Sequence, residues 1–481
     1  PPPVPPPAPA PVPPPTPPAP PPSPFMFVVK GLVSGSLFLQ DVPGAGGNGG
    51  ALTFVGPVSL NADKWFLGGD VRQTRLTFTI RGPEVLGGAT PTGVTEMDLG
   101  GYNYQILAVG GVSAGGVSLV PGTNAMTGAP TVTPTAVPLP YNTVTNEPRF
   151  DESLVPRIRL AYVELNWNAS QNVLRVGQYH NLLLGMVPGS ASHIATPLGY
   201  GAGQLGWRSP GVTFIHRFKL SPESNLDVGV QVNRNSWRDE LPTCSAAQAA
   251  PASNCLPYGV SLGEASMLPQ VEARIMAFGG MATMPLPFYL PTKWQVFVVG
   301  HWDQKDMTGR GNAARPAATM MGQYIREAVT TYAVAGGAKI QLGPVLAAVN
   351  GWYGQNAGNV FGHIFQMQDL YRGDVSGFGA WAQLGFGITK NLSAWGFFGI
   401  DKPDEAKAMA AFPTNARLQN MQLAAQIAYT DGPIQIAAEF VYVATKNLVV
   451  VPPNPATMAP GGSTMNTYSA SQPVVTMNYN F

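Results

Sequence analysis

From Leu226 to Asn233 the sequence reverses polarity at every step: Leu226, Val228, Val230 and Val232 alternate with Asp227, Gly229, Gln231 and Asn233. Successive side chains of an extended strand point to opposite faces, so this segment makes one oily face and one polar face. The closing stretch, Val474 to Phe481, does the same, with Val475, Met477, Tyr479 and Phe481 on one face and Thr476, Asn478 and Asn480 on the other. Arg75 to Arg81 sets Leu76, Phe78 and Ile80 outward and both arginines inward. Thr95 to Leu99 sets Met97 and Leu99 outward and Glu96 and Asp98 inward. Opposite charges then face each other across neighbouring strands. A soluble sandwich buries its second face in a core; a charged second face requires water on the inside and hydrocarbon on the outside.

Composition points the same way. Only 11% of the 481 residues are charged, well under half the roughly 25% of soluble proteins. No apolar run reaches the roughly 18 to 20 residues of a transmembrane helix, so a bilayer would be entered as strands. The formal net charge is +1 and no Lys/Arg cluster lies on a periodic face, which argues against nucleic-acid binding.

Pro1 to Pro24 is nearly all proline, an extended polyproline II rod without a core of its own. It reads as a proline-rich periplasmic tether or linker over 1–24, with a groove-binding ligand as the alternative. The chain begins on Pro1 with no basic and apolar leader, as after removal of an export signal or after trimming. Cys244 and Cys255 lie in a polar, Ala- and Pro-rich stretch, as a loop disulfide of an oxidising compartment or as two idle thiols.

From Phe25 onward the texture is strands punctuated by Gly, Pro, Asn and Asp. The first, Phe27 to Gln40, turns Val29, Val33 and Leu37 to one face and Ser34 and Ser36 to the other. Arg157 to Trp167 changes parity near Ala161 and Tyr162, which predicts a bulge. Long and short connections alternate along the chain: Gly110 to Leu154 is long and Asn168 to Asn172 short, Asn181 to Ser209 long and Ser221 to Asn225 short. Tight turns follow at Gly343-Pro344, Lys390-Asn391 and Asp431-Gly432-Pro433, and Asn447 to Gln472 reads as a last long loop. This predicts an all-β fold: over 25–481, a transmembrane antiparallel β-barrel of about sixteen strands, with short periplasmic turns and long extracellular loops. The aromatic residues Trp294, Trp302, Trp352, Trp381, Trp395, Tyr429, Tyr442 and Tyr479 are expected in the interfacial girdles of such a barrel, in contact with outer-membrane lipid.

The stretches Thr74-Arg-Leu-Thr-Phe-Thr-Ile-Arg-Gly-Pro83, Thr95-Glu-Met-Asp-Leu-Gly-Gly101, Arg157-Ile-Arg-Leu-Ala-Tyr-Val-Glu-Leu165 and Leu174-Arg-Val-Gly-Gln178 resemble the DcaP-like group of outer-membrane porins over the first half of the barrel. The resemblance implies a sixteen-stranded homotrimeric porin with an inward-folded constriction loop, taking up small, often anionic, solutes by passive diffusion. The amino terminus departs from the group, which can carry a helical coiled-coil segment where this chain has a proline rod. The terminal Phe481, with Tyr479 before it, also resembles the carboxy-terminal aromatic signal read by the barrel-assembly machinery.

Asn181 to Ser209 is the third long loop and the expected constriction, 181–209. It is rich in Leu, Gly and Ala, and its titratable groups are His193 and, near its end, Arg208. Such a loop lends no cation preference, whereas Arg75, Arg81, Arg157, Arg159 and Arg175 could line the opposite wall and favour anions. The alternative is that these arginines pair with Glu96, Asp98 and Glu164 in a wall network. The histidines His180, His193, His216, His301 and His363 show no metal-ligand spacing, and no nucleophile elbow or phosphate loop is present, so no enzyme activity, cofactor or metal is expected. The function expected is a water-filled pore for small hydrophilic solutes. A structural or partner-binding barrel with a plugged lumen is the other reading.

Overall fold

A computed structural model of the chain describes residues 25–41, 52–56, 65–99, 117–123, 130–136, 156–194, 196–235, 266–283, 292–306, 328–366, 373–451 and 462–481. The proline rod and both cysteines lie outside the described residues.

The first strands are β1 (Met26–Gln40), β2 (Phe66–Asp70), β3 (Arg75–Arg81) and β4 (Ala89–Asp98); β5 (Val117–Thr123) and β6 (Pro130–Ala136) form a separate two-stranded ribbon. The barrel continues through β7 (Arg157–Trp167), β8 (Asn172–His180), β9 (Arg208–Ser221), β10 (Ser224–Asn233), β11 (Gln270–Met281), β12 (Thr292–Asp306) and β13 (Ala328–Leu342). It ends with β14 (Val345–Gln355), β15 (Ser376–Gly387), β16 (Leu392–Pro403), β17 (Arg417–Asp431), β18 (Ile434–Val451) and β19 (Gly462–Asn480).

Every neighbouring pair is antiparallel, and the ring closes where β19 returns to β1, with Leu32 opposite Asn480 and Phe38 opposite Val474. On its other edge β1 pairs twice, through Ser36 to Gln40 with β2 and through Met26 to Leu32 with β3. β2 and β3 are therefore one stave broken at residues 71–74, and the 17 strands of the sheet make a sixteen-stave barrel. Thr74 spans the break, its hydroxyl accepting from Ser34 N–H at 3.2 Å and donating to the Ser34 carbonyl at 3.3 Å. A side chain thus stands in for the missing ladder rung.

Alternation sorts the two faces as a bilayer requires. Val33, Leu37, Ile80, Val163, Val230, Ile275, Val298, Leu384, Val475 and Met477 are exposed on the outside, while Ser34, Ser36, Gln231, Gln383, Thr476 and Asn478 are buried inside. Among the described residues no helix is long and apolar enough to cross a membrane; the membrane is crossed by strands, all of whose backbone groups pair within the closed sheet.

Several boundaries differ from the sequence reading. β4 starts at Ala89, not near Thr95, and β18 and β19 extend to Val451 and from Gly462, so most of the expected loop 447–472 is a projecting ribbon. Its residues Gly462 to Thr467 are exposed on both faces, so no oily row marks them as strand. The bulge falls at Arg159: Glu96 faces Leu160 and Met97 faces Ile158, leaving Arg159 as the extra residue. Trp302, Tyr429 and Tyr479 are exposed on the outer face, but Trp352, Trp381 and Trp395 are buried in the interior, because they share parity with lumen-facing residues of β14, β15 and β16.

Candidate pore constriction

Residues 181–194 and 196–207, between β8 and β9, cross the barrel and bond to β10, β11, β15, β17, β18 and the β3 side. Their backbone is received by long polar side chains that alternation has turned inward. Leu182 N–H donates to Gln231 on β10 at 2.7 Å and Leu183 N–H to Glu272 on β11 at 2.8 Å. Further along, Gly189 N–H donates to Gln383 on β15 at 2.8 Å, Ala191 N–H to Gln426 and Gly199 N–H to Gln422 on β17 at 2.8 and 2.6 Å. Carboxamides suit this task because each both donates and accepts: Gln383 also donates to the Gly189 carbonyl at 2.6 Å, and Asn420 to the Gly201 carbonyl at 2.7 Å.

The tip of the loop is fixed to Glu439 on β18. Ser190 donates to both of its carboxylate oxygens, at 3.0 and 2.8 Å; the Ser192 hydroxyl donates to it as well, and His193 Nδ1 lies 3.1 Å from Oε2. On the β3 side Gln73 brackets the Ser192 carbonyl and the Ile194 N–H, and Arg75 donates to the Ile194 carbonyl at 3.2 Å.

Two other segments fold inward beside it. Residues 52–56, between β1 and β2, lie against β17 and β18: Asn420 and Gln422 donate to the carbonyls of Thr53 and Leu52, and Asn447 to that of Val55. Residues 357–366, between β14 and β15, donate the Ile364 N–H to Asp401 at 3.1 Å and pack Phe361 on Tyr200 and Trp207. Gly203 in the main loop has φ +102°, and a Cβ there would enter the Ala380 peptide of β15. Only glycine permits so close a pass.

The filling is apolar and one-sided. Leu182, Leu183, Met186, Leu198 and Leu205 join Leu52, Phe297, Leu346, Trp352, Trp381, Trp395, Phe397 and Val441 in one buried cluster. The inward rows of β13 to β19 are consequently buried, whereas Thr77, Thr79, Glu96, Tyr162, Glu164 and Arg175 on β3, β4, β7 and β8 are only partly buried. Hydrocarbon packing against one wall leaves the water-accessible side of the lumen along the other.

That other wall carries the arginine cluster. Asp98 accepts from Arg157 at 2.7 Å and from Arg159 at 2.6 Å; Arg159 also reaches Glu96 at 2.9 Å, and Arg75 approaches Glu96 at 3.5 Å. Arg175 pairs with Glu164 at 2.5 Å and lies over the Tyr179 ring, 3.7 Å from its centroid. The bulge at Arg159 sets its guanidinium between the two carboxylates of β4.

The chain aligns with the outer membrane channel DcaP of Acinetobacter baumannii over 95% of its own length and 97% of that chain, with 14% identity and a TM-score of 0.58. The fold is that of this channel. The OmpT outer-membrane protein of Vibrio cholerae (8% identity, 95% and 98% covered, TM-score 0.45) and the Salmonella typhi OmpF (12% identity, 95% and 97% covered, TM-score 0.43) align over the same span. No protein-family model and no curated protein matches the sequence.

Of the residues singled out in the sequence, Arg75, Glu96, Asp98, Arg157 and Arg159 converge on one cluster and Arg175 stands beside it with Glu164. Arg208 opens β9, buried, with its guanidinium 4.0 Å from the centroid of the Trp207 ring and Nη1 without a hydrogen-bond partner among the described residues. His193 belongs to the Glu439 anchor. Arg81 shares the inward parity but ends β3, exposed at the short-turn rim opposite Met26. The wall residues that hold the loop, above all Glu439, Gln73, Gln383 and Gln426, did not stand out in the sequence; a neutral carboxamide at an inward position was the available signal.

Proposed function

We propose that the chain is an outer-membrane porin passing small hydrophilic solutes by diffusion, with a weak preference for anions. The observation that carries this reading is the one-sided filling of the lumen, which leaves the arginine-bearing wall as the water-accessible one. On that wall Arg75, Arg157, Arg159 and Arg175 stand against Glu96, Asp98 and Glu164, four cations to three anions, and Arg208 adds a further cation nearby. The pairing lowers the field without cancelling it, and a field in a narrow low-dielectric passage acts strongly on a permeating ion. The 181–207 segment is the constriction in this reading.

To the same reading belong assembly as a homotrimer in outer-membrane lipid, a periplasmic tether role for the proline-rich 1–24, and recognition of Tyr479 and Phe481 by the barrel-assembly machinery. The second reading, a plugged structural barrel, draws on the near-complete burial of 181–207. Planar-bilayer recordings separate the two: stepwise conductance is expected, and silence supports the plug. In a salt gradient the reversal potential should show an anion preference, and a clear cation preference overturns that part.

A further inference from the structure

We propose that a notch at the short-turn rim, where β10 to β13 begin and end, binds the headgroup of a zwitterionic phospholipid, phosphatidylethanolamine, from the periplasmic leaflet. The proposal rests on the short-turn rim facing the periplasm, as in the porin reading. The notch is lined by Glu223, Ser224, Gly280, Lys293, Trp294, Ile340, Gln341 and Leu342.

The sheet register explains why it exists. Ser224, Gly279, Trp294 and Ile340 stand directly opposite one another across four strands. Gly279 contributes no side chain to this row; a Cβ on it would lie 2.9 Å from Trp294 Nε1 and 2.8 Å from Ser224 Oγ, so the glycine leaves room for both polar atoms. Gly280 follows at φ +64°, and its N–H donates to the Glu223 carbonyl at 3.0 Å, so the end of β11 curls against the β9–β10 turn.

The lining combines apolar and polar groups. Ile340 and Leu342 are exposed on the outer, hydrocarbon-facing side, where acyl chains lie. Glu223 is exposed in the β9–β10 turn and Lys293 at the second position of β12, and neither makes an ion pair with a described residue. Trp294, opposite Ile340, is partly buried, its Nε1 beside the glycine gap. One cation, one carboxylate and an indole N–H around one notch at the rim match a headgroup that carries one phosphate and one ammonium. The ammonium of Lys293 and the indole N–H complement the phosphate, and the carboxylate of Glu223 complements the ethanolamine ammonium. A phosphatidylglycerol headgroup offers the phosphate but no cation for Glu223.

Native mass spectrometry of the full-length protein in mixed micelles containing equal amounts of phosphatidylethanolamine and phosphatidylglycerol tests this. A retained phosphatidylethanolamine adduct in excess of phosphatidylglycerol is expected. Lys293→Ala should lower retention of both lipids by roughly fivefold, the worth of one basic side chain at a membrane surface, and Glu223→Ala should abolish only the preference. Equal retention of the two lipids by the unaltered protein, or adducts indifferent to both substitutions, overturns the proposal. Displacement of the adduct by soluble glycerophosphoethanolamine at equal concentration overturns the lipid as the source. Conductance measured on the same preparations keeps the two readings apart, because a silent barrel that retains its lipid preference refutes the pore and not the notch.

Discussion

Gly31 and Phe481 exchange both backbone hydrogen bonds, at 2.9 and 3.0 Å, and the Phe481 ring lies where a side chain on Gly31 would be, with ring carbons 2.6 and 2.9 Å from that Cβ position. The last residue is thereby the final rung of the seam between β19 and β1, and its ring stacks with that of Tyr479 at 6.2 Å. Gly31→Val should push the ring off the seam, and deletion of Phe481 should remove the rung. Both are expected to reduce the fraction of protein reaching the compact, gel-shifted form of unheated samples. The selectivity of whatever assembles should not change; full assembly of the deletion would contradict the role given to the seam.

Glu439 is the anchor of the loop tip. Replacing it with alanine strands two hydroxyl donors and an imidazole, and hydrogen bonds to a charged acceptor contribute about 1.5–3 kcal/mol each. Glu439→Ala should therefore release the tip and raise single-channel conductance in planar bilayers, with added open-state noise, whereas Glu439→Gln should do so less. Unchanged conductance in both variants would show that apolar packing alone holds the loop.

Asp98 is fully buried and accepts from two guanidinium groups. Asp98→Asn removes the charge but little volume, and takes from Arg157 and Arg159 the carboxylate they share. Breaking a buried ion pair from one side costs about 3 kcal/mol, which denaturant titration would read as a lower unfolding midpoint. In assembled protein the reversal potential should move toward anions. A shift toward cations would mean that these arginines do not face the permeation path.

His363 lies between β14 and β15, buried with its ring 5.4 Å from that of Trp352, and burial pulls its pKa down from 6.5 to about 3. As the pH falls, the unfolded chain takes up the proton first, so the stability of the neutral buried ring is complete above pH 6.5 and lost between there and pH 3. The folded-to-unfolded ratio should drop by up to about tenfold per pH unit in that window from this group. Urea midpoints at pH 7, 5 and 4 should fall more steeply for the native chain than for His363→Phe; parallel acid limbs would assign the loss to other groups.

The barrel was legible because its signal is purely local. Alternation at Leu226 to Asn233 or Val475 to Phe481 depends on nothing but the pleat and the two solvents on either side of it. The arginine cluster was legible too, since Arg75, Glu96, Asp98 and Arg157 share an inward parity on adjacent strands. The anchors of the constriction were not: Gln426 and Glu439 stand opposite each other on β17 and β18, Gln73 lies in the break between β2 and β3, and only closure of the barrel brings Gln73 to the loop that the other two hold. Trp352, Trp381 and Trp395 were read as girdle residues because aromatic side chains serve interfaces and interiors alike, and their place follows from parity relative to Val349, Leu384 and Phe398. The first residues of β19, Gly462 to Thr467, are exposed on both faces, so they carry no two-sided pattern.

In the porin reading, one side of the interior is an apolar cluster set among polar anchors and the other is a wall of paired charges. The first sets an aperture by contact between solid shapes, which added salt leaves untouched; the second acts through a field that fades over about 10 Å at 0.1 M salt. If the chain is the porin proposed above, size discrimination and charge discrimination are lodged in different materials on opposite sides of one passage. A rise in ionic strength should erase the second and leave the molecular-weight cut-off where it was.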